Sequence, residues 1–199
     1  MQKQGLLTDV IDALCCLPGV GPKSAQRMAL HLFQRDRGGA DNLARALQLA
    51  ADKLGNCKKC RTLTEHELCS ICASPVRDQH QVCVVESPAD VWVINQATDY
   101  QGVFFVLNGR LSPLDGIGPD EIGINQLEQQ LAVNQVTEII LATNSTVEGE
   151  ATAHFIAQLA LAHHVQVSRL AHGVPVGGEL EFIDSSTLAH AFSGRRSIE

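Results

Sequence analysis

The feature that most constrains this chain is a pair of cysteine knuckles, Cys57-Lys-Lys-Cys60 and Cys69-Ser-Ile-Cys72, separated by eight residues. Each knuckle offers two sulfurs from one tight turn, and two knuckles close a tetrahedral shell around zinc. Four protein sulfurs leave no open coordination position, so the spacing predicts a structural ion and not a catalytic one. The segment between the knuckles, Arg61 to Leu68, is too short and polar to bury a core, which makes metal binding the main source of its folding free energy. The competing reading is a redox pair or two disulfides; paired knuckles in a soluble chain bind metal more often than they oxidise. His66, inside the loop, is expected to be solvated. Cys15, Cys16 and Cys83 fall in apolar segments and are expected to behave as small buried hydrophobes.

With 45% hydrophobic and 19% charged residues, a chain of 199 residues is globular and long enough for one ordinary core or two small ones. No apolar run approaches the roughly 20 residues of a membrane helix, and Met1 to Gly5 lacks a signal-peptide pattern, so the expected compartment is the cytoplasm and no membrane is involved. The net charge of -7 hides an asymmetry. Residues 1–80 carry eleven Lys and Arg against eight Asp and Glu, and residues 81–199 carry four against fourteen. A polyanion would orient on the first part, leaving the acidic part to meet protein or metal.

Leu6, Leu7, Val10, Ile11 and Leu14 have the spacing of an amphipathic helix over Leu6 to Cys16. Leu17-Pro18-Gly19-Val20-Gly21-Pro22 follows, where two glycines permit a tight turn with exposed amides and Pro22 suits the first position of a second helix. That helix, Lys23 to about Phe33, is expected to turn Ala25, Met28, Ala29 and Leu32 inward and to carry Lys23 and Arg27 four apart on another side. The turn amides and helix N-terminus can hold a phosphate that Lys23 and Arg27 neutralise. Gly19, Gly21, Lys23 and Ser24 also invite a nucleotide-binding P-loop, but that motif needs glycine immediately before its lysine, and Pro22 stands there. A plain turn between two core helices is the remaining alternative, and it would not require the paired cations. Leu17 to Arg27 resembles the helix-hairpin-helix motif, which implies a sequence-independent grip on the DNA backbone through Gly19, Gly21, Lys23 and Arg27.

Gln34 to Ala40 is expected to be a polar connection, with Asp41 capping a further helix to about Leu54 and Gly55 ending it. The zinc loop is expected to attach to this small helical domain, with Ala73 to His80 as the exit linker and a boundary near residue 80. Beyond it, apolar runs at Val82 to Val85, Gly102 to Leu107, Glu138 to Ala142 and Val165 to Leu170 alternate with helical patterns at Val91 to Gln96, Ile122 to Val133 and Glu148 to His163. Ser87-Pro88 offers a cap and a first-turn proline for the first of these helices. Such alternation predicts an α/β domain with a parallel, Rossmann-like sheet and helices on both faces. Functional groups there collect at the carboxyl ends of strands, where Glu86 and Asn144 fall.

Glu86, with Thr143-Asn-Ser-Thr-Val-Glu-Gly-Glu150, resembles the toprim domain of topoisomerases, primases and related nucleases, which implies a strand-end glutamate and an Asp-x-Asp pair holding Mg2+. This chain has Asn144 and Thr146 in place of that pair, so a magnesium site would lose two of three anionic ligands. The expectation is the toprim fold without its catalysis, leaving Glu86, Glu148 and Glu150 as a partner surface or a weak magnesium surface; acids at a solvated helix N-terminus are the simpler reading of the last two. Glu179-Leu-Glu-Phe-Ile-Asp184 is similar to a Walker B strand, and His172 is expected to be a structural hydrogen-bonding residue.

The order helix-hairpin-helix, four-cysteine zinc, toprim, glycine-rich tail through Gly194-Arg-Arg196 resembles the bacterial recombination mediators of the RecR family over nearly the whole chain. The domains read as 1–55 helical, 56–73 zinc finger, 80–175 toprim and 176–199 an oligomerising tail. The resemblance implies a homo-oligomer, a tetrameric ring enclosing single- or double-stranded DNA, assembled through the N-terminal helical regions and exchange of the tail. It also implies partnership with RecO and RecF in loading RecA onto gapped single-stranded DNA. The function expected is a non-enzymatic clamp and adaptor, with a metal-dependent toprim nuclease as the alternative.

Overall fold

A computed structural model of the chain describes residues 5–133, 136–171 and 173–195. Its contacts divide into two compact units, Met1–Leu54 and Gly55–Glu199. The first holds three helices, α1 (Leu6–Leu14), α2 (Pro22–Arg35) and α3 (Arg37–Lys53). Ala25 and Ala29 of α2 are the fully buried side chains among this unit's described residues. Met28, expected inward, is 43% exposed, Leu32 is half-buried, Cys15 is half-buried and Cys16 is exposed. The physical reason is size: a unit of 54 residues with three helices covers only the ridge at the centre of the middle one.

The polar connection expected over Gln34 to Ala40 does not exist as a loop. A single residue, Asp36, separates α2 from α3, and it, not Asp41, caps α3 by accepting from the Gly39 amide at 2.8 Å. A side chain at position 39 would place Cβ 2.2 Å from the Asp36 carboxylate, so the glycine that reads as a loop signal is what lets the cap close.

The second unit is built on a four-stranded parallel sheet in the order β4-β3-β5-β6, from β3 (Asp78–Val85), β4 (Gly102–Val106), β5 (Glu138–Ala142) and β6 (Gln166–Arg169). Helix α4 (Pro88–Ala97) packs on one face, where Val91 and Ile94 meet Cys83, Val85, Phe104 and Val106. Helices α5 (Ile124–Val133) and α6 (Val147–Ala162) cover the other, with Leu127, Leu131 and Ile156 against Val84, Phe105 and Ile139. Alternate residues of the strands thus point into two separate cores, and β3, paired on both edges, is apolar from Val82 onward. Ser87 caps α4 reciprocally with Asp90, and Pro88 occupies its first turn as expected. Because β4 lies on one side of β3 and β5 on the other, the chain switches direction at the end of β3, opening a crevice beside Glu86.

The zinc loop belongs to this second unit, not to the helical one. Two short strands, β1 (Gly55–Asn56) and β2 (Leu63–Thr64), pair antiparallel around it. The Cys60 carbonyl accepts from the Val106 amide at 2.9 Å, covering part of the open edge of β4. Arg61 then reaches across: its guanidinium donates to the carbonyls of Val106, Leu107 and Ile122 and lies 5.7 Å from the centre of the Phe105 ring. Gln126 donates to the Lys58 carbonyl at 2.7 Å, so α5 also holds the loop. The linker expected over Ala73 to His80 is shorter, because Asp78, Gln79 and His80 already belong to β3.

The expected Walker B-like strand is absent. Leu180–Phe182 is a single 3-10 turn, and Asp184 is the cap of α7 (Ser185–Ser193), accepting from the Ser186 and Thr187 amides at 3.1 and 2.9 Å. The serine and threonine run after Asp184 favours a capped helix start over an extended edge. Among the described residues no helix is long and apolar enough to cross a membrane.

Arg61→Ala is expected to lower stability by about 1–3 kcal/mol, because it strips a shared donor from half-buried carbonyls. Bound zinc should stay at one per chain; thermal melting with a zinc assay checks both.

Candidate functional site

The four knuckle cysteines converge. Their sulfurs all lie within 4.8 Å of one another, and each residue is buried. Sulfurs bound to zinc at ~2.3 Å stand roughly 3.8 Å apart in a tetrahedron, a spacing this cluster meets. Cys60 and Cys69 sulfurs are 3.5 Å apart, well beyond a disulfide of ~2.05 Å, and all four cysteines are free. Backbone amides point at the sulfurs: the Cys69 amide donates to the Cys57 sulfur at 3.3 Å and the Cys72 amide to the Cys69 sulfur at 3.4 Å. Hydrogen bonding by Cys60, then by Cys72, holds the Cys69 thiol well below its ordinary range, while the contact with Cys69 pushes Cys60 up to about 12. Cys72 is pushed up as well, by its contacts with Cys60 and Cys69, so only a cation at the centre would hold all four sulfurs as thiolates. Cys57, Cys60, Cys69 and Cys72 form a structural zinc site, and His66 stays exposed outside it.

The hairpin between α1 and α2 is built as a turn with an open helix end. Leu17 and Val20 close it through a backbone bond of 3.1 Å, and Gly19 sits at φ +77°, in the left-handed region that favours glycine. Gly21 needs no such freedom, because its φ of -87° is ordinary; it is the N-cap of α2, and no side chain caps that helix. The space in front of both glycines is open, with nothing within 4 Å of where a Cβ would stand. Lys23 and Arg27 are exposed on the first two turns of α2. The arrangement presents amides, the positive helix end and two cations to one region of solvent.

The toprim-like end of the sheet is arranged differently. Glu86 is only 6% exposed, and both its oxygens are occupied: one accepts from the Asn144 amide at 2.8 Å, the other from the Asn144 side-chain nitrogen at 2.7 Å. Gly149 makes the approach possible, since a Cβ there would lie 2.1 Å from the Asn144 carbonyl and 3.0 Å from Glu86. Thr146 caps α6 by accepting from Gly149 at 3.1 Å. Glu150 pairs with Arg169 through two hydrogen bonds, and Glu148 is half-buried on the first turn of α6. Glu86, Glu148 and Glu150 are thus not brought together as ligands: among the described residues the cysteines are the only three or more His, Cys, Asp or Glu that converge. The crevice beside Glu86, about 510 Å³, is lined by Asn108, Arg110, Ser112, Asp115 and Asn144.

Arg61 is the important residue that the sequence does not announce. It holds a φ of +66° and makes its contacts 45 to 61 residues away, so no local pattern marks it. Asn144 was legible as a missing ligand but not as a donor to Glu86. His172 and Arg196 lie outside the described residues.

Cys57→Ala is expected to leave zinc below one equivalent and to lower the melting temperature by about 10 °C, the shift that a loss of roughly 4 kcal/mol gives at this size. Metal analysis after dialysis against a mild chelator, alongside calorimetry, checks it; full zinc with unchanged melting would remove Cys57 from the ligand set.

Known families match in the same order as these structures. Residues 7–51 match the RecR helix-hairpin-helix, 54–74 the RecR four-cysteine zinc finger domain, 80–171 the Toprim domain and 173–196 the RecR C-terminal region. The protein named Recombination protein RecR from Methylococcus capsulatus (strain Bath) is 60% identical over 198 residues, with 100% of each chain covered. A likeness of that level over the full length, joined to four successive family matches, is decisive: the chain belongs to the RecR family.

Proposed function

We propose that this chain is a non-enzymatic DNA-binding clamp and adaptor in recombinational DNA repair. It acts with RecO and RecF in the cytoplasm to help load RecA on gapped single-stranded DNA. The single observation that carries the DNA contact is the open start of α2, where uncapped amides face the same solvent as Lys23 and Arg27. Backbone amides and two cations recognise phosphate and not base edges, so binding is independent of sequence.

Assembly into a homo-oligomeric, tetrameric ring is supported by how little the helical unit covers. Leu6 is 85% exposed, Leu47 62% and Leu49 54%, an apolar surface that a second copy of the chain would bury. Exchange of the tail, 176–199, supplies the other contact. The toprim-like unit serves as a scaffold, and its acidic rim, Glu148 and Glu150 included, faces RecO or RecF. Catalysis is not its role: Asn144, an uncharged donor to both oxygens of Glu86, stands where a magnesium site needs further carboxylates, so an ion there would lack most of its anionic ligands.

The test uses the full-length, zinc-loaded protein with Lys23→Ala and Arg27→Ala combined. Affinity for duplex and single-stranded DNA should fall regardless of sequence. The slope of log affinity against log salt should flatten by about 0.9 for each lost duplex phosphate contact. Unchanged affinity and slope would remove the hairpin from the interface. In the same samples DNA should keep its strand length and linking number in magnesium or manganese; cleavage lost in Glu86→Gln would make the chain an enzyme.

A further inference from the structure

Lys23, Arg27, His31 and Arg35 recur every four residues along α2. Steps of four advance a helix by about 6 Å and rotate it by about 40°, so the side chains form one ridge winding a third of the way round over roughly 18 Å. Ala25 and Ala29, the buried residues of α2, are offset from Lys23 and Arg27 by two positions, or about 200°, which sets the start of the ridge opposite them, while Arg27 and His31 also border a groove with Leu14 of α1 and Leu43 of α3. All four are exposed.

A merely solvated helix face mixes signs and engages its own charges, as α3 does. It carries Asp41 and Asp52 beside its cations, and there Arg45 donates to Asn42 at 2.6 Å and Gln48 to Asp52 at 3.1 Å. Helix α2 has no Asp or Glu. None of Lys23, Arg27, His31 and Arg35 takes part in an ion pair or side-chain hydrogen bond among the described residues. The spaces flanking His31 are walled by Arg27 and Arg35 and by apolar or amide side chains, Leu14 of α1, Leu17 of the turn, Gln34 of α2 itself and Leu43 of α3 among them, and hold no carboxylate. Like charges four apart destabilise a helix, so the row is a standing repulsion that an extended polyanion relieves.

We propose that the phosphate-binding surface does not end at the hairpin but continues along α2, with His31 and Arg35 as further contacts to the nucleic-acid backbone. The proposal rests on the reading that the hairpin binds DNA. The ligand is the phosphodiester chain itself, crossing α2 obliquely along the ridge.

The test compares the full-length, zinc-loaded wild type with Arg35→Gln, Arg35→Lys, His31→Gln and the Lys23→Ala/Arg27→Ala pair on a duplex and a single-stranded oligonucleotide, by anisotropy across a salt series. Arg35→Gln should lower the salt slope by about 0.9 on duplex and ~0.7 on single strand, so that between 50 and 200 mM salt it loses roughly threefold less duplex affinity than wild type. Arg35→Lys should restore the slope. His31→Gln should lower affinity for both oligonucleotides at low salt. Wild-type slopes and affinities in Arg35→Gln and His31→Gln, with weakened binding in the hairpin pair, would overturn the extension alone. No effect in any variant, or no binding by wild type at low salt, would overturn the hairpin reading and this one with it.

Discussion

The central strand β3 is the constraint from which the second unit follows. It is paired on both edges and covered on both faces, so its amides are satisfied by β4 and β5, while Val82 to Val85 can only be apolar. That requirement fixes where the polar chemistry can go. The first residue after the strand, Glu86, emerges at the point where the connections diverge, and any function built on this sheet has to begin there. The start of the same strand lies six residues beyond Cys72, which ties the zinc ribbon to the sheet through the chain itself.

Around Glu86 the chain has replaced an ionic bond by two neutral donors. Hydrogen bonds to a charged group contribute about 1.5–3 kcal/mol each, and they satisfy a carboxylate that would be costly to bury alone. The geometry depends on Gly149, where the helix start comes within hydrogen-bonding range only because no side chain intervenes. A toprim framework can therefore hold its shape by itself and serve as a surface. The zinc site does the opposite, since its ribbon has no apolar interior of its own and depends on the ion, with Arg61 fastening it to the edge of the sheet.

Much of this was legible in the chain. The cysteine spacing, the Pro22 start of α2, the Ser87-Pro88 cap and the four apolar runs each carry a local physical signal, and each lies where that signal places it. What was not legible depended on contacts distant in sequence or on competition between similar signals. Asp41 reads as the cap of α3, but Asp36 takes that place, because Gly39 lets the backbone close on its carboxylate. Met28 fits an inward spacing, but a three-helix unit offers it nothing to pack under. The acids of Glu179 to Asp184 resemble a strand until Asp184 finds the amides that follow it. The zinc loop reads as part of the basic half by charge, whereas its hydrogen bonds run to β4 and α5.

The Glu86–Asn144 pair also bears on how the molecule responds to its surroundings. In a metal-binding site of this kind, local charge changes by two units as the divalent cation comes and goes, and a surface beside it switches with the ionic composition of the cell. Here both carboxylate oxygens are already engaged by groups that cannot dissociate. The direction in which this carboxylate points at the carboxyl ends of the strands is therefore set by the chain itself, with no ion needed to hold it there.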